Sequence, residues 1–287
     1  MVGVGGAGGY IEDNNLSLKK DNKLTIRVGK GGNGAPEGGT LQQGNGHQFK
    51  IKAINGENTI VKHDNQEKYK ALGGGYGGSS YYHYTPGIHG GDGSSGGGSS
   101  GYYSSANYGK QGKTIDSSQG NNGKNQYNVY TSGGGGGAGK PSYNSNGGKG
   151  KSSNITGKYI YYAGGGGSGG YRYNGGNGGD GIILIKYTIH NIEIPITYPI
   201  NINGTGILYN IYESAISDID INDVIHYYYN NCIYEILEFK YKTIKNEYYF
   251  YFTEDKECDI LVVGGGGSGG GDYIGGGGGS GSVIFGK

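Results

Sequence analysis

Residues 154–187 read NITGKYIYYAGGGGSGGYRYNGGNGGDGIILIKY and hold the pattern that decides the fold. Two short apolar stretches, residues 159–163 and 182–187, enclose glycine runs of regular length. Ile and Tyr favour β-strands, whereas glycine is a poor helix former. The same alternation of a short strand with a glycine run recurs along the chain, which predicts that one structural unit is repeated in space.

The composition predicts an ordered, all-β protein. The 287 residues include 68 Gly and 30 Tyr, but only five Pro, one Met and no Trp. Collagen is excluded because the glycines have no Gly-X-Y period and little proline. Flexible glycine-rich segments lack apolar strands, whereas Ile, Val, Leu and Tyr cluster beside the glycines here. We therefore predict short strands and hairpins, with little or no α-helix.

Two structures are open to the glycine runs. Left in solvent they stay disordered, because ordering a glycine costs about 1–2 kcal/mol or more and buries no side chain. Alternatively, they form threefold, left-handed extended helices of the polyproline type, rising about 3.1 Å per residue, whose backbone groups point outward to neighbouring helices. The similar lengths and adjacent strands favour packed polyglycine helices at residues 73–78, 133–139, 164–170, 264–271 and 275–281.

Composition divides the chain into three parts. Residues 1–189 form a glycine-rich domain, in which residues 24–28, 58–63 and 69–72 are further strand candidates. Residues 190–232 have almost no glycine and form a connector or a small β module, with one candidate helix at 220–227 capped by Asp220. Residues 233–287 begin with a predicted hairpin, since apolar residues alternate at 237–241 and 248–252. They continue into the opening strand and glycine runs of a second, or shared, glycine-rich domain.

The two ends of the chain fit together as sequences. Residues 274–284 resemble residues 2–11, so the C-terminus begins the kind of domain that the N-terminus resumes. This predicts either one period of a tandem array or subunits that join head to tail by strand addition; the alternative is coincidence in a low-complexity sequence. Folding of residues 258–287 onto residues 1–30 of the same chain would contradict both predictions. The predicted inter-subunit residues are Val262, Val263, Ile274, Val283, Ile284, Val4 and Ile11.

Several motifs resemble one family. NITGKYIYYAGGGGSGG followed by GGNGGDGIILIKY is similar to the closing half of the glycine-rich domain of phage and large-virus tail-fibre and surface proteins. CDILVVGGGGSGGG resembles the opening of that domain, and KLTIRVGKGGNG and KALGGGYGG resemble its middle. The resemblance covers about residues 1–189 and 246–287. It implies a virion fibre, an adhesin or an extracellular filament, with polyglycine helices packed between strands.

The sequence offers no convincing enzyme or cofactor site. Residues 259–270 superficially match a dinucleotide fingerprint, but more glycine follows where that fingerprint needs a helix. Residues 218–223 resemble a calcium loop, but Asp223 stands where that loop needs glycine and Tyr229 where it needs the bidentate Glu. The net charge is +1 and there is no long apolar run, so neither a nucleic-acid partner nor a membrane span is expected.

Three sets of residues are candidates for modification or binding. Cys232 and Cys258 lie equally far from the predicted hairpin turn, so they form either a disulfide or two buried free thiols. Asn15, Asn154 and Asn203 begin glycosylation sequons that matter only in a secretory pathway. A receptor- or glycan-contacting face is predicted at tyrosines in glycine-serine stretches, unless these rings only pack on glycine helices: Tyr81, Tyr82, Tyr84, Tyr102 and Tyr103.

The sequence thus predicts a non-enzymatic structural subunit of a viral fibre or extracellular filament that binds further copies of itself. It is expected on a virion surface or outside the cell. The alternative is a receptor-binding adhesin at a tail-fibre tip that uses its Tyr/Ser/Gly loops. A filament subunit hides both termini in contacts with its neighbours, whereas an adhesin has a self-complete domain.

Overall fold

The computed structural model describes residues 3–34, 53–79, 89–100, 109–125, 132–167, 177–189, 224–229, 232–242, 247–252, 254–270 and 278–281. None of these residues lies in an α-helix, and the all-β prediction is confirmed. The strands are β1 Tyr10–Leu18, β2 Leu24–Arg27, β3 Thr59–His63, β4 Gln66–Ala71, β5 Lys151–Ser153, β6 Ile160–Tyr162, β7 Ile182–Ile189, β8 Val224–Tyr229, β9 Cys232–Lys240, β10 Glu247–Phe250 and β11 Lys256–Val263.

An antiparallel five-stranded sheet in the order β1-β11-β7-β9-β8 forms the middle layer. Its central strands are apolar without alternation, as in Ile182–Ile185 and Ile260–Val263, and all of these side chains are buried. Successive side chains of a strand point to opposite faces, so a strand that is covered on both faces needs apolar residues at every position. This burial explains why the sequence shows continuous apolar runs there.

A four-stranded antiparallel sheet, β10-β2-β3-β4, packs on one face of the five-stranded sheet. Its strands alternate: in β10, Tyr248 and Phe250 are buried, while Glu247 and Tyr249 face solvent. The Phe239 ring of β9 stacks on the Phe250 ring with centroids 5.5 Å apart, which joins the two sheets. Asp64 and Asn65 link β3 to β4 with φ of 47° and 65°, the left-handed pair that a two-residue hairpin turn requires.

The two-stranded sheet β5-β6 covers the other face of the five-stranded sheet. Tyr162 and Ile155 are buried against Ile182, Leu184 and Leu261. The strands therefore form three layers, and the five-stranded sheet lies between the other two.

The predicted hairpin between residues 237–241 and 248–252 is wrong. Both strands exist, but β9 pairs with β7 and β8, whereas β10 pairs with β2 in the other sheet. Ile236 and Leu237 are both buried, so β9 fits a covered position inside the middle sheet, while the alternating β10 fits the edge of a one-sided sheet.

The predicted helix at residues 220–227 is also corrected, because Val224–Tyr229 form strand β8. The sequence VIHYYY is rich in β-branched and aromatic residues, and its β-propensity outweighs the helix cap offered by Asp220. Residues 220–223 lie outside the described part of the chain.

The two ends of the chain meet within one molecule. Strand β11 pairs with β1 in antiparallel register, with Val262 opposite Ile11 and Val263 opposite Tyr10. The glycines after β11 continue this contact, since the N–H of Gly270 donates to the carbonyl of Gly3 at 3.1 Å. The described parts of residues 233–287 thus share both larger sheets and the glycine helices with the described parts of residues 1–189. The tandem-period and shared-subunit predictions lose their basis, because the missing half of the domain comes from the same chain.

Candidate functional surface: the polyglycine bundle and its outer end

Glycine segments extend the strands away from the three β-layers, which we call the sandwich. Gly9 precedes β1, Gly181 precedes β7 and Gly264 follows β11. These residues lie at one level, because the N–H of Gly264 donates to Gly9 and that of Gly9 donates to the carbonyl of Leu72 just after β4. We call the assembly of glycine segments beyond this level the bundle.

Residues 264–270, the central segment, form a helix with three residues per turn. The N–H groups of Gly264, Gly267 and Gly270 all donate to one neighbour, at the carbonyls of Gly9, Gly6 and Gly3, with N···O distances of 3.0, 2.9 and 3.1 Å. Bonds to the same neighbour recur every third residue, as the polyglycine helix requires. The prediction of packed polyglycine helices is confirmed.

Six segments surround the central segment. Its N–H groups donate to segments 3–9, 53–58 and 177–181, for example from Gly265 to the carbonyl of Glu57 at 3.0 Å. Its carbonyls accept from the other three, for example from Gly32 at 2.8 Å and from Gly279 at 2.8 Å. The neighbours form a hexagonal packing: segments 3–9, 28–34, 53–58, 72–79, 177–181 and 278–281. Here the backbone, rather than side chains, fills the interior.

Glycine is required in this packing because neighbouring backbones lie too close for a Cβ atom, and not because the backbone has a positive φ. A Cβ atom added to Gly267 would lie 2.2 Å from the carbonyl oxygen of Gly75, and one on Gly5 would lie 2.0 Å from that of Gly267. Among the described glycines only Gly157, in the β5–β6 turn, has positive φ. Alanine therefore does not fit at these positions, because a neighbouring backbone occupies the space that its Cβ atom needs.

Serine is the polar residue that the interior accepts. The Ser268 hydroxyl accepts the N–H of Ile54 at 2.9 Å and donates to the carbonyl of Ile54 at 3.1 Å. The Ser94 hydroxyl donates to the carbonyl of Ala7 at 2.8 Å. These side chains are buried but bonded, so they replace a backbone contact at little cost.

At the rim of the bundle, side chains accept hydrogen bonds from the backbone of a neighbouring segment. Asn177 and Asp180, three residues apart, accept the N–H groups of Gly34 and Gly31, each at 2.7 Å. Asn, Asp or His occupies the same three-residue spacing in three further pairs, which are Asn55 with Asn58, His89 with Asp92, and Asn122 with Asn125. We call each such bond a rung; rungs satisfy backbone donors where no further glycine helix follows.

The outer end of the bundle, opposite the sandwich, gathers the ends of several segments. The N–H of Gly270 donates to Gly3, that of Gly3 to Gly78, and that of Gly78 to Gly98. At the same level Ser99 donates to Lys124 at 3.0 Å. The stretches 80–88, 101–108, 126–131 and 271–277 begin within two positions of Gly78, Ser99, Lys124 and Gly270, respectively. Tyr81, Tyr82, Tyr84, Tyr102 and Tyr103 belong to the first two stretches and lie outside the described residues.

A polar network closes the opposite end, where strands become glycine helices. The Gln119 side chain accepts the N–H of Leu72 at 2.9 Å and donates to the carbonyl of Lys70 at 3.1 Å. The Tyr69 hydroxyl donates to Asp13 at 2.6 Å, and this bond holds the pKa of the Asp13 carboxyl below its usual value. Burial raises the pKa of the Tyr69 hydroxyl. The network therefore holds β1 and β4, which belong to different sheets, in place relative to each other, and its Asp13 carboxylate and Tyr69 hydroxyl are bonded to each other.

Most N–H groups of the fingerprint-like stretch 259–270 already donate to neighbouring backbone, so they are not available to a pyrophosphate. Residues 259–263 belong to β11, and the amides of Gly264, Gly265 and Gly266 donate to neighbouring segments. Within the described ranges no group of three His, Cys, Asp or Glu side chains is arranged to hold a metal ion. The calcium-like stretch 218–223 lies outside them. No helix in the described part of the chain is long and apolar enough to cross a membrane.

The two cysteines are not brought together. Cys258 is a free, buried thiol on β11, and burial raises its pKa to about 12. Cys232 lies on β9, and β7 separates the two strands. Two strand spacings amount to about 9.6 Å, whereas the Cα atoms of a disulfide are at most about 7 Å apart. Of the two alternatives, the disulfide loses its geometric basis, because it depended on the hairpin that does not form.

The remaining predicted residues divide into three groups. Val4, Val262 and Val263 are buried and Ile11 is half-buried, and these contacts are made inside one chain. Asn15 in β1 and Asn154 in the β5–β6 turn are exposed, so their glycosylation stays a prediction. Ile274, Val283, Ile284 and Asn203 lie outside the described residues.

A β-sandwich continued by a hexagonal bundle of polyglycine helices defines the chain as a glycine-rich structural domain. A family model for the glycine-rich domain matches residues 2–188, and the chain belongs to that family. Comparison with curated proteins and with solved structures gives no match. The matched range ends before β11 and the central segment, which complete the domain in this chain.

Proposed function

We propose that this protein is a non-enzymatic structural module that presents tyrosine-rich stretches to a receptor or glycan, as an adhesin of a viral fibre or another extracellular surface. The supporting observation is that the residues flanking the tyrosine-rich stretches share one level at the outer end of the bundle. Both Ser79 and Ser100, which precede Tyr81 and Tyr102, are buried there.

The bundle has the mechanical properties that such a module needs. The central segment is hydrogen-bonded to six neighbours, so its displacement breaks bonds to all of them. The outer end is thus held at a fixed distance and orientation from the sandwich. A rigid support of this kind lowers the entropy cost of binding for the stretches that are attached to it.

The filament subunit is the competing proposal. Its predicted mechanism used the two termini as a joint between subunits, but these segments bond to each other within one chain. A filament of this protein would need contacts through other surfaces. Self-completion of the domain favours the adhesin, since that is the property by which the two proposals differ.

The test is binding of the purified protein to immobilised host-surface glycans and to intact host cells. We expect the fivefold variant Tyr81→Ser, Tyr82→Ser, Tyr84→Ser, Tyr102→Ser, Tyr103→Ser to lose at least about tenfold in affinity, because truncation of an interface hot spot, a position at which Tyr is enriched, costs about 2 kcal/mol or more. Tyr159 and Tyr161 are exposed by 79% and 48% and lie at β6 of the sandwich, so the double change to Ser is the matched control.

Equal binding of the fivefold variant and the control would overturn the adhesin proposal. Electron microscopy of the same preparation distinguishes the adhesin from the filament subunit. Monodisperse particles agree with the adhesin, whereas regular filaments at working concentration favour the structural subunit.

A further inference from the structure

One rung of the bundle differs chemically from the other rungs. In the four pairs that accept backbone N–H groups at three-residue spacing, seven positions carry Asn or Asp and the eighth carries His89. Histidine is the side chain that normally changes its charge between about pH 5 and pH 8. An Asn acceptor cannot take up a proton in this range, so among the four pairs His89 alone supplies an acceptor of this chemistry.

The geometry fixes the protonation state that the rung needs. The N–H of Lys110 donates to Nδ1 of His89 at 2.8 Å, so Nδ1 must carry a lone pair and no proton. The carbonyl of Lys110 accepts the N–H of Gly90 at 2.8 Å, which holds the two segments side by side. Three residues further on, Asp92 accepts the N–H of Lys113 at 2.7 Å in the next rung.

We infer that the His89 rung is an acid-sensitive contact in the outer part of the bundle. A proton added to the imidazole converts Nδ1 from an acceptor into a donor, and it then faces the donor N–H of Lys110. The bond is present when the imidazole is neutral and is lost as the pH falls. His89 directly follows the stretch 80–88, and Lys110 closely follows 101–108. Acid therefore weakens the contact between the two segments that follow the tyrosine-rich stretches.

The charged surroundings of the rung are limited. Asp92 shares a segment with His89, and Lys110 and Lys113 lie on the partner segment. The segments 53–58 and 72–79 also bond to residues 89–93, and they contribute Glu57 and Tyr76. Segment 94–100 bonds to residues 89–93 as well and has no titratable side chain. His89 is exposed, so a proton reaches its ring without unfolding of the bundle.

The test is amide hydrogen exchange of the intact, ¹⁵N-labelled protein at pH 8 and pH 5, corrected for the intrinsic exchange rate. We expect the protection of the Lys110 amide to fall by about five- to tenfold at pH 5, the factor that one lost hydrogen bond supports. Protection of the Lys113 amide, which bonds to Asp92, and of the Gly267 amide in the central segment is expected to stay constant.

The decisive variant is His89→Asn, which places at position 89 the acceptor that positions 122 and 177 already use. We expect it to keep the Lys110 amide protected at both pH values, while His89→Ala leaves it unprotected at both. Equal protection of native Lys110 at pH 8 and pH 5 would overturn the inference, as would the same acid loss in His89→Asn. The readout needs no ligand, so it stands or falls separately from the proposed adhesin function.

Discussion

The sandwich and the bundle fill space in opposite ways, although single strands run from one into the other. At Val263 the chain is inside a sheet, and its side chain is buried among Tyr10, Ile182 and Leu184. One residue later, at Gly264, the neighbours are backbone carbonyls, and an added Cβ would lie 2.2 Å from the oxygen of Leu72. In the sandwich removal of atoms leaves a cavity, whereas in the bundle addition of atoms causes a clash.

The bonding also differs between the two regions. A strand in the middle sheet bonds to two neighbours in one plane, and side chains on both faces provide the remaining contacts. The central helix of the bundle donates hydrogen bonds to three neighbours and accepts them from three others. The bundle is therefore specified by backbone geometry, while the sandwich is specified by side-chain shape. Changes made separately in the two regions test that contrast.

Removal of residues 254–287 is expected to have the largest effect, because it damages both regions. Strand β11 lies between β1 and β7, and the central segment touches six others. We expect the shortened chain to lose cooperative thermal unfolding and NMR signal dispersion. A peptide of residues 254–287 added in trans should restore both signals. A stably folded shortened chain would show that the central position is not required.

Phe239→Ala tests the side-chain packing of the sandwich. Phe239 is 1% exposed and contacts Tyr248 and Phe250, with ring centroids 5.3 and 5.5 Å away. Loss of a buried Phe costs about 3–5 kcal/mol in the free energy of unfolding, since a cavity remains. Urea denaturation measures this loss. Tyr159→Ala, at a 79% exposed position, should change stability by less than about 0.5 kcal/mol.

Gly267→Ala tests the bundle with the smallest possible addition. Its Cβ would overlap the carbonyl group of Gly75 at 2.2 Å, and both partners are backbone held by other helices. We expect a loss of about 3 kcal/mol, the upper end for overpacking. The matched control is Gly167→Ala, whose Cβ would meet no atom of the described residues closer than 3.8 Å. That variant should be neutral or slightly more stable; similar losses in both variants would refute the packing argument.

Asp180→Ala tests a rung, which needs a side chain inside a glycine-rich helix. The carboxylate accepts the N–H of Gly31 at 2.7 Å, and its removal leaves that donor without this acceptor. The expected loss is about 1 kcal/mol by urea denaturation. Asp180→Asn keeps an acceptor oxygen and should retain most of the stability. If Asn and Ala are equally destabilising, charge rather than the rung is responsible.

The smallest predicted effect is a pH dependence at the junction of the two regions. The Tyr69 hydroxyl and the Asn15 N–H both bond to Asp13 and lower the pKa of its carboxyl below the unfolded value. The stability from this carboxylate is complete above the unfolded pKa, about 3.9, and is lost as the pH falls through the lowered folded pKa. Thermal melts from pH 6 to pH 3 should show a shallower decline in Asp13→Asn than in the native protein. Parallel declines would mean that other carboxylates dominate.

Local sequence signals predicted the elements that carry their own pattern. The apolar run at Ile182–Ile185 and the alternation at Leu24–Arg27 gave strands in the right places. Strand β1 was missed because its sequence, YIEDNNLSL, is mostly polar and its register shifts between Asp13 and Leu16. A strand held by the edge of a sheet and by side-chain bonds such as Asp13 to Tyr69 has no apolar period to detect.

The helices at the rim of the bundle can be recognised in the sequence by polar residues that are spaced three positions apart. Asn177 with Asp180, Asn122 with Asn125, and His89 with Asp92 each place a polar acceptor at i and i+3 among glycines. The interior segment 264–270 has only glycine and serine. Spacing by three thus distinguishes rim helices from interior helices at the level of the amino-acid sequence. The pair at positions 89 and 92 also shows where a histidine stands in place of Asn or Asp as the acceptor.

The sequence by itself determined the kind of structure: glycine runs of fixed length that can only be ordered by close packing, and strands of Ile, Val, Leu and Tyr beside them. The tertiary structure alone decided which segments are neighbours. A polyglycine helix makes no hydrogen bonds within itself, so the sequence of residues 264–270 does not specify which six segments surround it. The same holds for β9, β10 and the two cysteines, whose pairing was set by which strand edges and sheet faces the rest of the chain left open.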